Sequence, residues 1–263
     1  MAAPAKAKRT FYVGGNWKCN GTIKSVTELC DGLSKIDTKG VDVMVAPIAI
    51  HIPLAQSKLS KDAFIVSSQN VSATGQGAFT GELAADQLVD LGLSTTIIGH
   101  SERRAMFGET NEVVTQKVKA ALAAKLNVVA CLGETLEERK QDKVEEVCFA
   151  SLKAIADGVG ADKGAWNNIV IAYEPVWAIG TGVACDADKA QATQASLRKW
   201  FKDNVSEDVA NSIRIIYGGS VKPANCEELI AQPDIDGFLV GGAALKVETY
   251  GPIIAAAQKE GAK

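Results

Sequence analysis

The chain has 263 residues, of which 47% are hydrophobic and 22% are charged, and its formal net charge is -3. This composition excludes a disordered or collagen-like protein, and the slightly acidic balance argues against nucleic acid or an anionic membrane as a partner. No run approaches the ~20 apolar residues that cross a bilayer, and the basic segment Met1 to Arg9 lacks the apolar stretch of a secretory signal. We therefore expect a cytoplasmic protein.

Eight short apolar runs recur along the chain, and Gly, Asn or Pro residues bound them. They are rich in Val and Ile and do not alternate with polar residues, which is typical of strands covered on both faces. A parallel sheet is therefore expected. In chain order the predicted strands are Phe11 to Gly15, Val41 to Ala46, Ala63 to Ser67, Thr95 to Gly99, Asn127 to Leu132, Ile169 to Tyr173, Ile213 to Tyr217 and Gly237 to Val240.

Segments with helical spacing separate these runs and predict about eight helices. Thr135 to Glu138 has the form of a capping box, Asp186 and Pro223 mark two further starts, and Glu112 to Lys125 has an apolar face. Eight units average about 33 residues each, the size of a strand with its helix and return loop. A closed (β/α)8 barrel is the economical architecture, with a doubly wound open sheet as the alternative.

No linker or low-complexity segment divides the chain. We therefore expect residues 1–263 to form one domain, with residues 1–9 as a flexible N-terminal extension. Six scattered cysteines without a C-x-x-C pair and only two histidines do not favour a metal site.

Polar side chains and glycine pairs follow the predicted strands at the point where each strand ends. In a barrel all of these ends face the same mouth, where such enzymes place their chemistry. The residues in question are Asn16, Lys18, Gln69, Asn70, His100, Glu174, Gly218-Gly219-Ser220 and Gly241-Gly242. A base, an imidazole, a cation and two glycine-rich turns are thus expected to converge.

Glu174 and His100 are the candidate acid and base. Glu174 ends the sixth strand beside an aromatic ring and a largely apolar loop, so it can act as a general base. A surface or ion-paired glutamate is the alternative. His100 should begin a helical turn, where the helix dipole disfavours imidazolium and leaves a neutral ring that can donate to a carbonyl oxygen. A structural histidine is the alternative there.

Lys18 is the candidate cation. In extended chain it would share one side of the strand with Asn16, and it would supply positive charge to an anionic substrate or transition state. Glu102 could hold its ammonium group in place. Solvated lysines are commoner, so Lys18 alone is weak evidence.

Three loops suggest how a ligand would be held. The turns Tyr217 to Ser220 and Val240 to Ala243 follow strands seven and eight, the usual phosphate site of a barrel, and neither fits a dinucleotide or ATP motif. The loop Pro175 to Gly182 carries Val, Trp and Ile between Pro and Gly residues, as a lid over a ligand would. A buried rigid loop is the alternative.

Seven stretches, in order, give the chain a close resemblance to the triosephosphate isomerase family over essentially its whole length. They are Gly15-Asn16-Trp17-Lys18, Gly77 to Glu82, Gly99 to Arg104, Cys131 to Thr135, Ala172 to Gly182, Tyr217 to Ser220 and Gly237 to Ala243. The resemblance implies interconversion of dihydroxyacetone phosphate and D-glyceraldehyde 3-phosphate through an enediolate, a step of glycolysis and gluconeogenesis that needs no cofactor.

The resemblance also implies roles for residues, which come from the family and not from spacing. Glu174 would remove the proton from the carbon beside the carbonyl and return it to the neighbouring carbon. His100 would donate to the carbonyl oxygen and shuttle protons between the two oxygens. Ser101 and Glu102 would be supporting residues. Lys18 and Asn16 would stabilise the negative charge. The phosphate would meet backbone amides of Gly180, Ser220, Gly241 and Gly242. The lid would comprise Pro175, Val176, Trp177, Ala178, Ile179, Thr181 and Gly182.

A homodimer follows from the same resemblance. The loop from Gln69 to Glu82 would insert beside the partner's active site, where Thr80 would steady the neighbouring copy of Asn16. Two other classes fit a barrel of this kind: a Schiff-base phosphosugar aldolase that uses Lys18, and a catalytically silent phosphate-binding scaffold. The carboxylate that ends strand six disfavours the first, and the combination of Glu174, His100 and Lys18 disfavours the second.

Overall fold

Eight parallel strands form one nearly closed barrel in the computed structural model, which describes residues 9–179 and 185–263. They are β1 (Phe11–Asn16), β2 (Val41–Ala46), β3 (Ile65–Val66), β4 (Thr95–Ile98), β5 (Asn127–Leu132), β6 (Ile169–Tyr173), β7 (Arg214–Tyr217) and β8 (Gly237–Val240). Around the sheet the order is β3-β2-β1-β8-β7-β6-β5-β4, so β1 lies beside β8. The predicted (β/α)8 barrel is confirmed, and the open-sheet alternative is excluded.

The barrel closes between β3 and β4 through a single bridge. The Ser68 amide donates to the Thr95 carbonyl at 3.3 Å, and the Ile97 amide donates to the Ser68 carbonyl at 3.0 Å. The third strand was predicted from Ala63, but it is shorter because the Ala63 and Phe64 amides are bonded in a turn to the Ser60 carbonyl.

The described residues include eleven α-helices, more than the eight expected, because several connections carry two. They are α1 (Ile23–Leu33), α2 (Ile52–Lys58), α3 (Ala85–Asp90), α4 (Ser101–Phe107), α5 (Asn111–Ala123), α6 (Leu136–Lys140), α7 (Val144–Val159), α8 (Ala187–Asn204), α9 (Glu207–Ser212), α10 (Cys226–Ile230) and α11 (Val247–Gly261). Short 3₁₀ turns span Ala49–His51, Lys163–Asn168, Val176–Ala178 and Gly242–Leu245. Within the part of the chain that the structure describes, no helix is long and apolar enough to cross a membrane.

The helix starts follow the sequence signals in two of three cases. Thr135 forms the predicted capping box with Glu138, and Asp186 accepts from the Lys189 amide at 2.8 Å. The start predicted at Pro223 is wrong, because α10 begins at Cys226. The Asn225 side chain accepts from the Lys222 amide at 2.7 Å, which holds the preceding residues in a turn.

The end of the barrel opposite the mouth is held by a buried ion-pair network. Asp236 is fully buried and accepts from Arg9 at 2.8 Å and from Arg198 at 2.7 Å. Arg198 also donates to the Ala210 and Ile213 carbonyls, at 2.8 and 2.9 Å. Arg9, which we expected in a flexible extension, is therefore anchored to the barrel, and the rest of that extension lies outside the described residues.

Candidate active site

A cavity of about 360 Å³ opens at the carboxyl ends of the strands. It brings together most of the residues predicted to carry the chemistry, namely Asn16, Lys18, His100, Glu174, Ser220, Gly241 and Gly242. A larger cavity of about 540 Å³ lies on the other side of Glu174, but His100, Lys18 and the glycine turns do not line it. The smaller cavity is therefore the candidate active site.

Glu174 is held from both its backbone and its carboxylate. Its Oε1 lies 2.9 Å from His100 Nε2, and its Oε2 accepts from the Ser101 amide at 2.9 Å. Its amide donates to the Leu132 carbonyl at 2.7 Å, which extends the β5–β6 pairing one residue beyond β6. A Cβ atom on Gly133 would lie 1.7 Å from the Glu174 carbonyl oxygen, so only glycine allows this approach. The backbone of Glu174 is therefore fixed, and its carboxylate contacts the His100 imidazole.

His100 caps the N-terminus of α4, as the sequence predicted. Its Nδ1 accepts from the Glu102 amide at 3.2 Å, so in the neutral ring the proton is on Nε2, which donates to Glu174. Burial lowers the pKa of the imidazole, but the charge and hydrogen bond of Glu174 more than offset burial and raise that pKa above its usual value. The ring's protonation is therefore coupled to the position of Glu174.

Glu174→Gln is expected to lower the pKa of His100. The substitution removes the charge that raises this pKa and leaves burial, which lowers it. Titration of the imidazole ¹⁵N resonances checks this, because the chain has only two histidines and the His51 signal is an internal reference. Glu248→Gln, on the exposed N-terminal turn of α11, is the control. An unchanged His100 titration in Glu174→Gln would contradict the coupling.

Lys18 does not lie on the strand. The strand ends at Asn16, and Lys18 has a left-handed backbone with φ of 53°, so the extended geometry expected from the sequence is wrong. Such a conformation costs about 1–3 kcal/mol outside glycine and persists only where neighbours impose it. Here Asn16 Oδ1 accepts from the Lys18 amide at 3.0 Å, and Gln69 Nε2 donates to the Lys18 carbonyl at 2.8 Å.

The bent backbone still delivers the Lys18 ammonium group to the cavity. Its Nζ lies 2.6 Å from Glu102 Oε1, so the expected contact between these two side chains is present. A Cβ atom on Gly241 would lie 3.8 Å from this Nζ, which places the cation against the second glycine turn. The positive charge of Lys18 therefore adjoins the backbone of the second glycine turn at the mouth.

The first glycine turn packs too closely for a side chain, and the second leaves open space. A Cβ atom on Gly219 would lie 2.2 Å from the Tyr217 hydroxyl, and one on Gly218 would lie 3.0 Å from Glu174 Cγ. Gly242 begins a 3₁₀ turn, and the space beside it is open. Lys222 also lines the cavity and was missed by the sequence reasoning, although it comes only two residues after Ser220.

The described part of the lid rests on a buried carboxylate. Trp177 Nε1 donates to Glu134 Oε1 at 2.8 Å, and this oxygen also accepts from Arg139 at 2.8 Å and from the Tyr173 hydroxyl at 3.1 Å. Ala178 is buried, and Ile179 lines the cavity. Pro175 and Val176 lead into this turn, with Val176 in the 3₁₀ segment. The predicted lid residues Thr181 and Gly182, and the phosphate ligand Gly180, lie outside the described residues.

Glu134 was not recognised as a lid contact from the sequence. It is fully buried, and three of its partners are Arg139, Tyr173 and Trp177. Two of these partners are distant along the chain, so no local motif signals them. Among the described residues no group of three or more His, Cys, Asp or Glu side chains is arranged to hold a metal ion.

A second cavity of about 370 Å³ adjoins the candidate site and shares Asn16, Lys18 and His100 with it. Phe107 lines this cavity and is 64% exposed, and Met106 beside it is 73% exposed. Phe79 and Thr80, in the predicted dimer loop, are exposed as well. Exposed apolar side chains therefore occur both at the second cavity, in Phe107, and in the segments next to its lining residues.

Comparison with known proteins gives consistent similarities. The family model described as Triosephosphate isomerase matches residues 11–257. A chloroplastic triosephosphate isomerase from Secale cereale is 51% identical, over 92% of this chain and 80% of the relative. The cytosolic triosephosphate isomerase of Oryza sativa subsp. japonica is 49% identical, over 91% of this chain and 94% of the relative. A triosephosphate isomerase of Paracoccidioides lutzii is 48% identical, over 90% and 95%.

Proposed function

The chain belongs to the triosephosphate isomerase family, and from this premise we propose how its residues interconvert dihydroxyacetone phosphate and D-glyceraldehyde 3-phosphate. The observation that carries the proposal is the pair of Glu174 and His100, joined at 2.9 Å in the cavity that also holds Lys18 and the glycine turns. No other described cavity combines a carboxylate, an imidazole, an ammonium group and two glycine turns.

Glu174 is the base that moves the carbon-bound proton. To reach the substrate, its carboxylate leaves the Ser101 amide and His100 Nε2, which hold it in this structure. It takes a proton from the carbon beside the carbonyl and returns it to the neighbouring carbon, so no electrons are gained or lost. The backbone of Glu174 stays fixed by its contacts with Leu132 and Gly133, so only the side chain moves.

His100 is the acid that serves the substrate oxygens. Its Nε2–H, freed when Glu174 turns away, donates to the carbonyl oxygen as the enediolate forms. Nε2 then takes the proton of the neighbouring hydroxyl oxygen, which restores the neutral ring and leaves that oxygen as the new carbonyl. The departure of Glu174 also removes the carboxylate that raises the pKa of His100, and burial then favours the neutral ring. The amide of Glu102 donates to Nδ1, so Nε2 is the nitrogen that exchanges the proton with the substrate.

Lys18, Asn16 and the glycine turns stabilise the negative charges. Lys18 supplies a fixed cation at the enediolate, where charge develops, and Asn16 adds an amide dipole. The phosphate is held by backbone amides of Ser220, Gly241 and Gly242, which need no side chains. Gly180 is assigned to the same phosphate from the sequence resemblance.

Lid closure protects the enediolate. Ile179 already presents apolar surface to the cavity, and Trp177 packs against the hydrophobic core beside it. Exclusion of water strengthens the electrostatic contacts and disfavours loss of phosphate from the intermediate.

A coupled assay that starts from either triose phosphate tests the function directly. We expect rapid turnover in both directions, and absence of turnover in both would refute the proposal. The aldolase alternative needs Lys18 as a free amine, but its ammonium group lies 2.6 Å from Glu102, and an ammonium in an ion pair is not a nucleophile. Borohydride trapping of substrate on Lys18 would favour that alternative.

We also propose a homodimer in which the loop around Thr80 enters the partner's second cavity. Support comes from the exposed apolar side chains of Met106, Phe107 and Phe79, of which Phe107 lines that cavity, since exposed apolar surface often marks interfaces. Phe107→Glu is expected to give a monomer by light scattering at micromolar concentration, because it would bury a charge without a partner. Leu136→Glu, at another exposed apolar residue, should stay dimeric. A dimeric Phe107→Glu would contradict this interface.

For the location and domain organisation, we propose the cytoplasm and one domain over residues 1–263. The cytosolic relative from Oryza sativa supports the first, and a plastid is the alternative that the chloroplastic relatives suggest. The single barrel formed by residues 9–179 and 185–263 supports the second. Imaging of the tagged full chain tests the location, and a single cooperative unfolding transition tests the domain.

A further inference from the structure

We propose that Arg104 is a positioning residue for the acid and base, acting through the backbone and not on the substrate. Its guanidinium group donates to the Gly99 carbonyl at 2.8 Å, to Asn111 Oδ1 at 2.8 Å and to the Cys131 carbonyl at 3.3 Å. These acceptors belong to the end of β4, the start of α5 and β5. Arg104 thus joins three elements directly behind the active site, and the inference rests on the proposed function.

The contact with the Gly99 carbonyl fixes the backbone position of His100. The Gly99 carbonyl belongs to the peptide that carries the His100 amide, so a bond to that oxygen fixes the plane of this peptide. Gly99 has φ of 71°, a left-handed value that favours glycine, and a Cβ atom there would meet Arg104 Nη2 at 3.1 Å. The close approach of the guanidinium group therefore depends on the glycine.

The fixed peptide carries the groups that hold Glu174. The next residues along the chain provide His100 Nε2, 2.9 Å from Glu174 Oε1, and the Ser101 amide, 2.9 Å from Glu174 Oε2. The bond to Cys131 ties the same guanidinium group to β5, whose end supports the Glu174 backbone through Leu132. A shift of Arg104 would thus move the acid and the resting base together.

The hydrogen-bond acceptors of Arg104 indicate that its position behind the active site depends on the arrangement of neutral acceptors and not on an ion pair. Within the described residues its hydrogen bonds go to two backbone carbonyls and one amide oxygen, and no carboxylate lies within ion-pair distance. Burial lowers its pKa, so its position works against its charge. Arginine alone offers a planar group with five donors that can reach three separate acceptors, whereas the compact lysine ammonium cannot.

Arg104→Lys tests the inference, and Arg198→Lys is the matched control. Arg198 also donates to two backbone carbonyls, but at the opposite end of the barrel. We expect Arg104→Lys to lower kcat by about 10- to 100-fold with KM changed less than about threefold, because misplacement of the acid by a fraction of an ångström affects chemistry more than binding. Arg198→Lys should lose stability without this loss of kcat per folded enzyme.

The spectroscopic readout separates positioning from general damage. In wild type the imidazole ¹⁵N signals of His100 should report a proton on Nε2, and in Arg104→Lys this preference should weaken while the His51 signals stay unchanged. If Arg104→Lys does not fold, Arg104→Gln, which keeps one donor for the Gly99 carbonyl, replaces it. Normal His100 signals and kcat equal to that of Arg198→Lys would overturn the inference. Wild type without isomerase activity would refute the proposed function instead, and the His100 signals would still test Arg104.

Discussion

Glu174→Asp is expected to lower kcat by about 100-fold, with little change in KM. The variant keeps the charge but withdraws the carboxylate by one methylene, and a misplacement of about 1 Å can reduce a rate by that factor. The backbone cannot follow to compensate, because the Glu174 amide is bonded to Leu132 and its carbonyl is packed against Gly133. Steady-state kinetics in both directions measure the effect.

Glu207→Asp is the control for this substitution, since Glu207 is an exposed glutamate paired with Lys202 away from the mouth. It should leave kcat unchanged. A Glu174→Asp enzyme with wild-type kcat would mean that another group takes the carbon-bound proton. A loss confined to KM would mean that Glu174 binds the substrate and does not act as the base.

Lys18→Ala is expected to lower kcat/KM by about 100- to 1000-fold, the usual cost of one electrostatic contact to a charge that develops in the transition state. The loss should exceed that of a surface lysine because Lys18 lines the cavity beside Gly241. It also leaves the Glu102 carboxylate near an anionic substrate without its cation. Kinetics on the purified variant measure both parameters.

Lys18→Met separates charge from packing, because it keeps a long side chain without the ammonium group. It should lose as much activity as Lys18→Ala, and the exposed Lys61→Ala should lose none. An active Lys18→Met enzyme would show that the stem and not the charge supports the reaction.

The sequence was sufficient to predict the architecture and most of the site. Each apolar run predicts a strand, and the polar residue at the end of the run predicts a side chain at the mouth. Seven of the eight apolar runs match strands to within one residue at each end, and the polar residue that follows a run points to the mouth. His100 and Glu174 follow this rule directly, so their meeting could be expected before any coordinates. Parallel strands in a barrel leave no other place for their carboxyl ends.

What escaped prediction depends on contacts between distant parts of the chain. The left-handed backbone of Lys18 is held by a hydrogen bond from Gln69, which lies in the loop after another strand. The Glu134 carboxylate is held by hydrogen bonds from Tyr173 and Trp177, some forty residues away. The third strand was overestimated because the Ser60 carbonyl captures the amides that would have extended it. Local propensity does not encode such partners.

Among the described strands, the joint between β3 and β4 is one of the two places where neighbouring strands of the barrel pair at a single position, the other being β7 with β8. It rests on the single bridge of Ser68 and Thr96, whereas β1 and β2 pair over six residues, so local opening requires less free energy there. The chain beyond this joint carries Gln69, which holds the Lys18 carbonyl, and His100. An opening would therefore disturb cation and acid at once, and an isolated subunit would have an incomplete mouth for part of the time. The proposed partner would cover this joint, so dimerisation would act as a clamp that suppresses such openings.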